Sequence, residues 1–167
     1  PSCAIGLQTQ DALLAAQIVK DGQVQVFDEI YEQGLVTSEI IGLAQRRLWW
    51  KSPKVLVSYP QYKDQHHSMS SVAETWLRDT GLVAGGERGH ILPGIERFKS
   101  MLKPDPLSGV PGIVFSPRCK GILSELGAEP HPLKGPRFGQ ACVYHWKVDR
   151  DGNVVGETPE DEYNHGI

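Results

Sequence analysis

Residues 3–8, Cys-Ala-Ile-Gly-Leu-Gln, and residues 12–19, Ala-Leu-Leu-Ala-Ala-Gln-Ile-Val, are two short apolar runs near the start of the chain. Short apolar runs between polar residues are typical of strands rather than of long helices. Asp21-Gly22 follows the second run and is the strongest short signal for a β-hairpin, and a third run covers residues 23–28. This stretch therefore predicts three consecutive antiparallel strands.

After these strands, helical and strand patterns alternate along the chain. Ile40, Ala44 and Leu48 recur at helical spacing, which predicts a helix over 39–50 with Ser38 as its N-cap. The other predicted elements are, in chain order, a strand at 54–58 buried on both faces, a helix at 68–80 ending at Gly81, a helix beginning near Pro93, a strand at about 112–115, a helix started by Ser116-Pro117 and ended by Gly127, and a second hairpin at Asp151-Gly152. Such alternation predicts a sheet with helices packed against it.

Length and composition indicate a single globular domain over residues 1–167. The chain has 40% hydrophobic and 22% charged residues and a net charge of -3, and no apolar run approaches the ~20 residues that a membrane-spanning helix needs. Cys3, Cys119 and Cys142 are odd in number and lie outside any CxxC spacing. This disfavours a disulfide framework or a zinc knuckle and favours a reducing compartment. The sequence has no phosphate-binding loop of the pattern Gly-x-x-x-x-Gly-Lys-Ser/Thr.

The end of the chain carries its most informative motif, Asp161-Glu162-Tyr163-Asn164-His165-Gly166-Ile167. This segment resembles the Asn-His-x-x-Asp stretch that closes the nuclease domain of the large terminase subunits of viruses and phages. The final Asp of that motif would occupy the position after Ile167, so the resemblance implies that the motif is cut short here. Three further stretches resemble the same domain, namely the helix from Gly94-Ile95 to Leu102, the helix Cys119-Lys120-Gly121-Ile122-Leu123-Ser124-Glu125-Leu126 and the strand Tyr144-x-Trp146.

The resemblance implies an α/β fold of the ribonuclease H-like type. That fold has a mixed sheet, which begins with three antiparallel strands and continues with alternating helices and strands, and helices cover both of its faces. Its metal site lies where the first and fourth strands end side by side, and a late helix brings the last carboxylate. The implied organisation is a single nuclease-type domain over residues 1–167, with an ATPase domain upstream in the same polypeptide rather than within this chain.

The activity that the resemblance implies is metal-dependent cutting of concatemeric viral DNA during genome packaging. Two Mg²⁺ or Mn²⁺ ions would polarise the phosphate and activate water. The implied partners are double-stranded DNA, the upstream ATPase domain, the portal and the small terminase subunit. The implied location is the host cytoplasm, and no membrane association is expected. Two alternatives are a cleavage-deficient DNA-binding or docking module of the same fold, and a different ribonuclease H-like enzyme such as a resolvase or transposase core.

The sequence departs from this family at the expected metal ligands. Gln8 stands where the first strand of the family ends in aspartate, and Ser58 stands at the matching end of the fourth strand. The resemblance implies that Gln8, Ser58 and His165 occupy the catalytic and metal-binding positions. Neither the glutamine nor the serine has the negative charge with which proteins hold hard cations, so poor cleavage of DNA is expected. Nearby carboxylates are the fallback ligands, namely Asp11, Asp64 and Asp161.

Basic residues form groups beside the predicted helices. A DNA-processing domain needs such groups on phosphates, where they bind without reading base sequence, and the competing interpretation is an ordinary solvated helix face. The expected DNA-binding residues are Arg46, Arg47, Lys51 and Lys54, with Trp49-Trp50 between them, and Arg118 and Lys120. Asp28-Glu29, in the third strand, also has two interpretations, which are a polar strand end and a support near the metals.

Overall fold

The structure is a computed structural model that describes residues 3–8, 12–32, 34–51, 53–57, 70–86, 90–130 and 146–159. The strands of its main sheet are β1 (Cys3–Gln8), β2 (Ala12–Ile18), β3 (Val24–Tyr31), β4 (Lys54–Val57), β5 (Ala84–Gly85) and β6 (Ile113–Phe115). Within the described residues they form one mixed sheet in the order β5-β4-β1-β2-β3-β6. The predicted α/β class with a mixed sheet is therefore confirmed.

The three antiparallel strands at the start of the chain are confirmed. β1 pairs with β2 and β2 pairs with β3, each in antiparallel orientation. In the turn between β2 and β3, the backbone N–H of Gly22 donates to the carbonyl oxygen of Val19 at 2.9 Å. Gly22 has a φ of 79°, a conformation that only glycine adopts at little cost. β3 continues to Tyr31, past the predicted end at residue 28, because its pairing with β2 extends to Tyr31, which lies opposite Ala12.

β4 lies beside β1 and runs parallel to it, with Leu7 of β1 opposite Val57 of β4. β5 is parallel to β4, and β6 is parallel to β3. The prediction that β4 is buried on both faces is correct for one face only. Val55 is 2% exposed, whereas Leu56, which points to the other face, is 51% exposed.

Within the described residues the helices are α1 (Thr37–Gln45), α2 (Val72–Thr80), α3 (Ile91–Leu102) and α4 (Lys120–Glu125), and a separate two-stranded sheet joins β7 (Trp146–Val148) to β8 (Val154–Pro159). Neighbouring residues of a strand point to opposite faces of the sheet. Leu13 packs in a cluster with α1 and α2 that includes Trp76. Leu14 packs against a second cluster, which contains Val26 and Ile122 of α4. Helices therefore cover both faces of the sheet, as predicted.

α1 begins earlier than the sequence predicts. Its first residue is Thr37, and its N-cap is Val36 rather than Ser38. The backbone N–H of Val36 donates to the carboxylate of Glu39 at 2.9 Å, so a side chain from within the helix provides the hydrogen-bond partner of the N-cap N–H group. The Ser38 hydroxyl instead donates to the carboxylate of Asp79 in α2 at 2.7 Å. A tertiary contact therefore uses the side chain that local sequence assigned to the cap.

α1 also ends earlier, at Gln45, whereas residue 50 was the predicted end. Leu48 consequently lies beyond the helix and is 97% exposed, so its predicted place on the buried helical face is wrong. Trp49 and Trp50 pack against the core after the helix has ended. The larger aromatic side chains of Trp49 and Trp50 are therefore partly buried, whereas the leucine is not.

The starts of the other three helices are also shifted, although their predicted ends are correct. α2 begins at Val72, and its predicted start at residue 68 lies outside the described residues. α3 begins at Ile91, two residues before Pro93. α4 begins at Lys120 rather than at Ser116, because the N–H of Cys119 donates to the Ser116 carbonyl oxygen at 2.9 Å and closes a separate turn. Gly81 and Gly127 have positive φ at the predicted ends of α2 and α4, and Gly152 has positive φ in the predicted second hairpin.

Gly121, in the first turn of α4, lies directly against the ring of Tyr31 in β3, and a Cβ atom at this position would overlap that ring. We expect Gly121→Ala to lower the free energy of unfolding by about 1–3 kcal/mol, the usual cost of overpacking. Urea denaturation measures the change. Gly42→Ala is the matched control, because Gly42 is also helical and a Cβ there meets no atom within 4 Å. Equal effects of the two substitutions would contradict the packing of α4 on β3.

Candidate functional site

The carboxyl ends of β1 and β4 lie side by side at one edge of the sheet. Gln8 is the last residue of β1, and the preceding residue, Leu7, pairs with Val57, the last residue of β4. Parallel neighbours end at the same edge, so side chains that leave these two ends can converge on one point. This is the backbone arrangement on which the sequence-based metal site depends.

The expected ligands other than Gln8 fall outside the part of the chain that the structure describes. They are Ser58, His165 and the fallback residues Asp11, Asp64 and Asp161. Within the described ranges, no group of three or more His, Cys, Asp or Glu residues is arranged to hold a metal ion. The placement of Gln8 at the end of β1 is observed, and the binding of Mg²⁺ or Mn²⁺ stays a prediction.

Asp28 fixes the segment that follows α1. Its Oδ2 atom accepts a hydrogen bond from Nε1 of Trp49 at 2.7 Å and lies 3.6 Å from Nε of Arg47. The ring of Trp49 also meets Phe27 edge-on, with ring centroids 6.3 Å apart. These partners favour the interpretation of Asp28 as a structural polar residue of the sheet over that of a support near the metals.

Glu29 fixes the start of α4 on the opposite face. Its two carboxylate oxygens accept hydrogen bonds from the backbone N–H groups of Gly121, at 2.6 Å, and Ile122, at 3.1 Å. Burial raises the pKa of Glu29 above its ordinary value, and these two hydrogen bonds, which favour the charged form, oppose part of that shift. The carboxylate therefore satisfies helix N–H groups that have no partner within the helix.

A second contact between β3 and α4 lies next to the first. The hydroxyl of Tyr31 donates to Oε1 of Glu125 at 2.8 Å, and Glu125 is 0% exposed. Cys119 is also buried, and burial, assisted by the negative charges of Glu29 and Asp28, raises its pKa to about 12. The thiol therefore stays protonated and is not a nucleophile at neutral pH. Sequence reasoning missed this group, although Glu29 and Tyr31 are two positions apart and so share one face of β3.

Arg46, Arg47 and Lys51 belong to the segment 46–51 that follows α1, which we call the basic turn. All three are exposed, and so is Lys54 at the start of β4. The chain from Ile40 to Lys63 contains these four residues, a fifth basic residue in Lys63 itself, and no acidic residue. In a chain with a net charge of -3, this run is a locally positive region, and it contains four of the basic residues that the sequence assigned to DNA binding.

Aromatic packing holds the basic turn against the protein. Trp50 stacks on Trp76 of α2 with ring centroids 6.0 Å apart, and Trp76 is 0% exposed. Trp49 lies against Trp50, with centroids 6.2 Å apart. The two tryptophans therefore point inward, whereas the basic side chains around them face solvent. This arrangement can present positive charge to a polyanion without ordering the backbone on binding.

The second basic group lies beside α4. Arg118 and Lys120 are exposed, and the ammonium group of Lys120 forms an ion pair with Oε1 of Glu129 at 2.7 Å. α4 packs on the face of the sheet opposite to α1. The structure therefore places the two predicted DNA-binding groups next to helices on different faces, and part of the charge in the second group is offset by its own ion pair.

Comparison with protein-family models, with curated proteins and with solved structures found no match to this chain. Among the residues that the structure describes, no helix is both long and apolar enough to cross a lipid bilayer.

The raised pKa of Glu29 predicts the pH dependence of stability. The folded state binds the Glu29 proton more tightly than the unfolded state does, so protonation of Glu29 stabilises the fold. This contribution to the free energy of unfolding is complete below the unfolded-state pKa and is lost as pH rises through the folded-state pKa. We expect the wild type to gain stability relative to Glu29→Gln as pH falls from 7 towards 4.5. Urea denaturation of both proteins across this range measures the difference. If the wild type instead gained stability relative to Glu29→Gln as pH rose towards 7, the assigned burial of the carboxylate would be contradicted.

Proposed function

We propose that this chain is a ribonuclease H-like domain of the terminase nuclease type and that it binds double-stranded DNA. The observation that carries the proposal is the parallel pairing of β4 with β1, beside the antiparallel unit of β1, β2 and β3. A ribonuclease H-like site needs the first and fourth strands to end next to each other, and this pairing supports that arrangement. The upstream ATPase domain, the portal and the small terminase subunit are the proposed partners in a packaging motor.

The residues present fit a pair of divalent cations poorly. Two cations about 3.5–4 Å apart are held by several converging carboxylates. Gln8 offers a neutral amide at the end of β1, and Ser58 offers a neutral hydroxyl at the matching position of the sequence. Mg²⁺ and Mn²⁺ prefer charged oxygen ligands, so these two replacements weaken the site. We therefore propose that the chain binds DNA and cleaves it slowly or not at all.

The basic turn and Lys54 form the surface that we propose for DNA binding. Their exposed cations replace counterions on the phosphates, which gives affinity that depends strongly on salt and little on base sequence. Arg47 lies 3.6 Å from Asp28 and so is partly neutralised, and Arg46 and Lys54 add exposed positive charge. Arg118 and Lys120 form a second proposed contact, which is weaker because Glu129 pairs with Lys120.

Neutralising the basic turn should weaken DNA binding and its salt dependence. Each lost phosphate contact reduces the magnitude of the slope of log affinity against log salt by about 0.9, so Arg46→Gln, Arg47→Gln and Lys51→Gln together should reduce it by up to about 3. Fluorescence anisotropy with one labelled duplex at several salt concentrations measures the slope. The matched control removes three charges from the end of α3, with Arg97→Gln, Lys99→Gln and Lys103→Gln. An equal loss of slope in the control would contradict the assignment of the surface.

The missing carboxylates predict the outcome of a cleavage assay. The unmodified chain should nick supercoiled plasmid poorly in millimolar Mg²⁺ or Mn²⁺, because the metals that stabilise the transition state lack anionic ligands. Gln8→Asp together with Ser58→Asp should tighten Mn²⁺ binding, which isothermal titration calorimetry measures, and increase nicking. Robust cleavage by the unmodified chain that is abolished by Asp11→Ala or Asp64→Ala would show that the fallback carboxylates form the site.

A further inference from the structure

Leu48 is the most unusual residue of the basic turn. Its side chain is 97% exposed, and it stands between two arginines on one side and two tryptophans on the other. Single exposed leucines are common on protein surfaces and need no explanation by themselves. Two further properties separate Leu48 from such residues, namely the fixed backbone that presents it and the charge around it.

The backbone around Leu48 is fixed by hydrogen bonds on both sides. The N–H of Arg47 donates to the Ala44 carbonyl oxygen at 3.0 Å, which ties the turn to the end of α1. The N–H of Trp50 donates to the Arg47 carbonyl oxygen at 3.0 Å and closes a turn in which Leu48 is the first central residue. The leucine is therefore held at the apex of an ordered turn.

The tryptophans that follow Leu48 prevent it from folding inward. Trp49 donates to Asp28 at 2.7 Å, and Trp50 stacks on the buried Trp76. These side chains occupy the space between the turn and the sheet, and Leu48 itself is 97% exposed. Because the turn is already ordered, inserting Leu48 into a partner costs little conformational entropy.

The charge around Leu48 selects the chemistry of that partner. Arg46 and Arg47 precede it, Lys51 follows it, and no acidic residue occurs from Ile40 to Lys63. Asp28, 3.6 Å from Arg47, offsets part of this positive charge. Proteins that bind the minor groove combine cations with an apolar side chain that inserts between base pairs and kinks the duplex. A lipid surface would also attract cations, but one leucine buries too little apolar area for stable membrane binding.

We propose that Leu48 is a wedge that inserts between adjacent base pairs from the minor groove and kinks the duplex, while Arg46, Arg47 and Lys51 hold the neighbouring phosphates. This inference rests on the proposed DNA-binding function and adds a mode of binding to it. Insertion is least costly at pyrimidine–purine steps, which unstack easily, so the protein prefers TpA and CpA steps without contacting their base edges.

The test uses a duplex of about 30 base pairs with dyes at its two ends and 2-aminopurine at a central TpA step. Wild-type protein unstacks that base and bends the duplex, so 2-aminopurine fluorescence and energy transfer between the dyes both increase. Leu48→Ala abolishes both signals, lowers affinity by about tenfold through the loss of one inserted leucine, and leaves the salt dependence unchanged. Leu48→Phe retains both signals, because a larger apolar side chain also acts as a wedge.

Leu107→Ala is the matched control, because Leu107 is 98% exposed at another turn, in which Asp105 rather than arginine lies nearby. This variant behaves as the wild type does. Wild-type binding without either signal, or signals that persist in Leu48→Ala, would overturn the wedge and leave the proposed function intact. A wild type that does not bind the duplex at low salt would overturn both. Binding of wild type, but not of Leu48→Ala, to phosphatidylserine vesicles, with equal DNA signals for both, would assign the leucine to a membrane and overturn the proposal.

Discussion

The position of β1 between β2 and β4 is the constraint on which the rest of the structure depends. A hairpin connects β1 to its antiparallel neighbour, but no hairpin can connect parallel strands, so the chain crosses a face of the sheet between β3 and β4. α1 lies on this crossover and buries Ile40, Ile41 and Ala44 in one cluster with Leu13 and Val55. The same crossover brings the ends of β1 and β4 together and sets where the basic turn leaves the core.

Two adjacent carboxylates in β3 connect the faces of the sheet to their helices. Asp28 and Glu29 point to opposite sides, as neighbouring strand residues must. Asp28 accepts a hydrogen bond from Trp49 and so holds the basic turn, whereas Glu29 accepts hydrogen bonds from two backbone N–H groups of α4. A single polar pair in a strand thereby positions the proposed DNA-binding segment on one face and a short helix on the other. Asp28 and Glu29 therefore have structural roles within β3, although as polar residues they resemble the end of a strand.

Local patterns predicted the strands well because their causes are local. The Asp21-Gly22 turn and the apolar runs depend on residues close in sequence, and the three opening strands are confirmed. The bounds of α1 were predicted less well because tertiary contacts decide them: the Ser38 hydroxyl donates to Asp79, and Trp49 and Trp50 rather than Leu48 pack against the core. The bond from Tyr31 to Glu125 joins distant parts of the chain, and no periodicity reveals it. For the candidate site, the adjacent ends of β1 and β4 are observed, whereas the metal-binding roles of Gln8, Ser58 and His165 depend on the family resemblance and stay predictions.

We propose that this domain binds duplex DNA through the basic turn, which α1 brings to the surface. The most direct measurement is a titration of the ¹⁵N-labelled protein with a short duplex at low salt, followed residue by residue by amide chemical shifts. We expect the largest shifts in residues 45–51 and at Lys54, and we expect added salt to reverse them. Shifts centred on the end of α3, near Arg97 and Lys103, or no shifts at all, would show that the basic turn does not bind DNA.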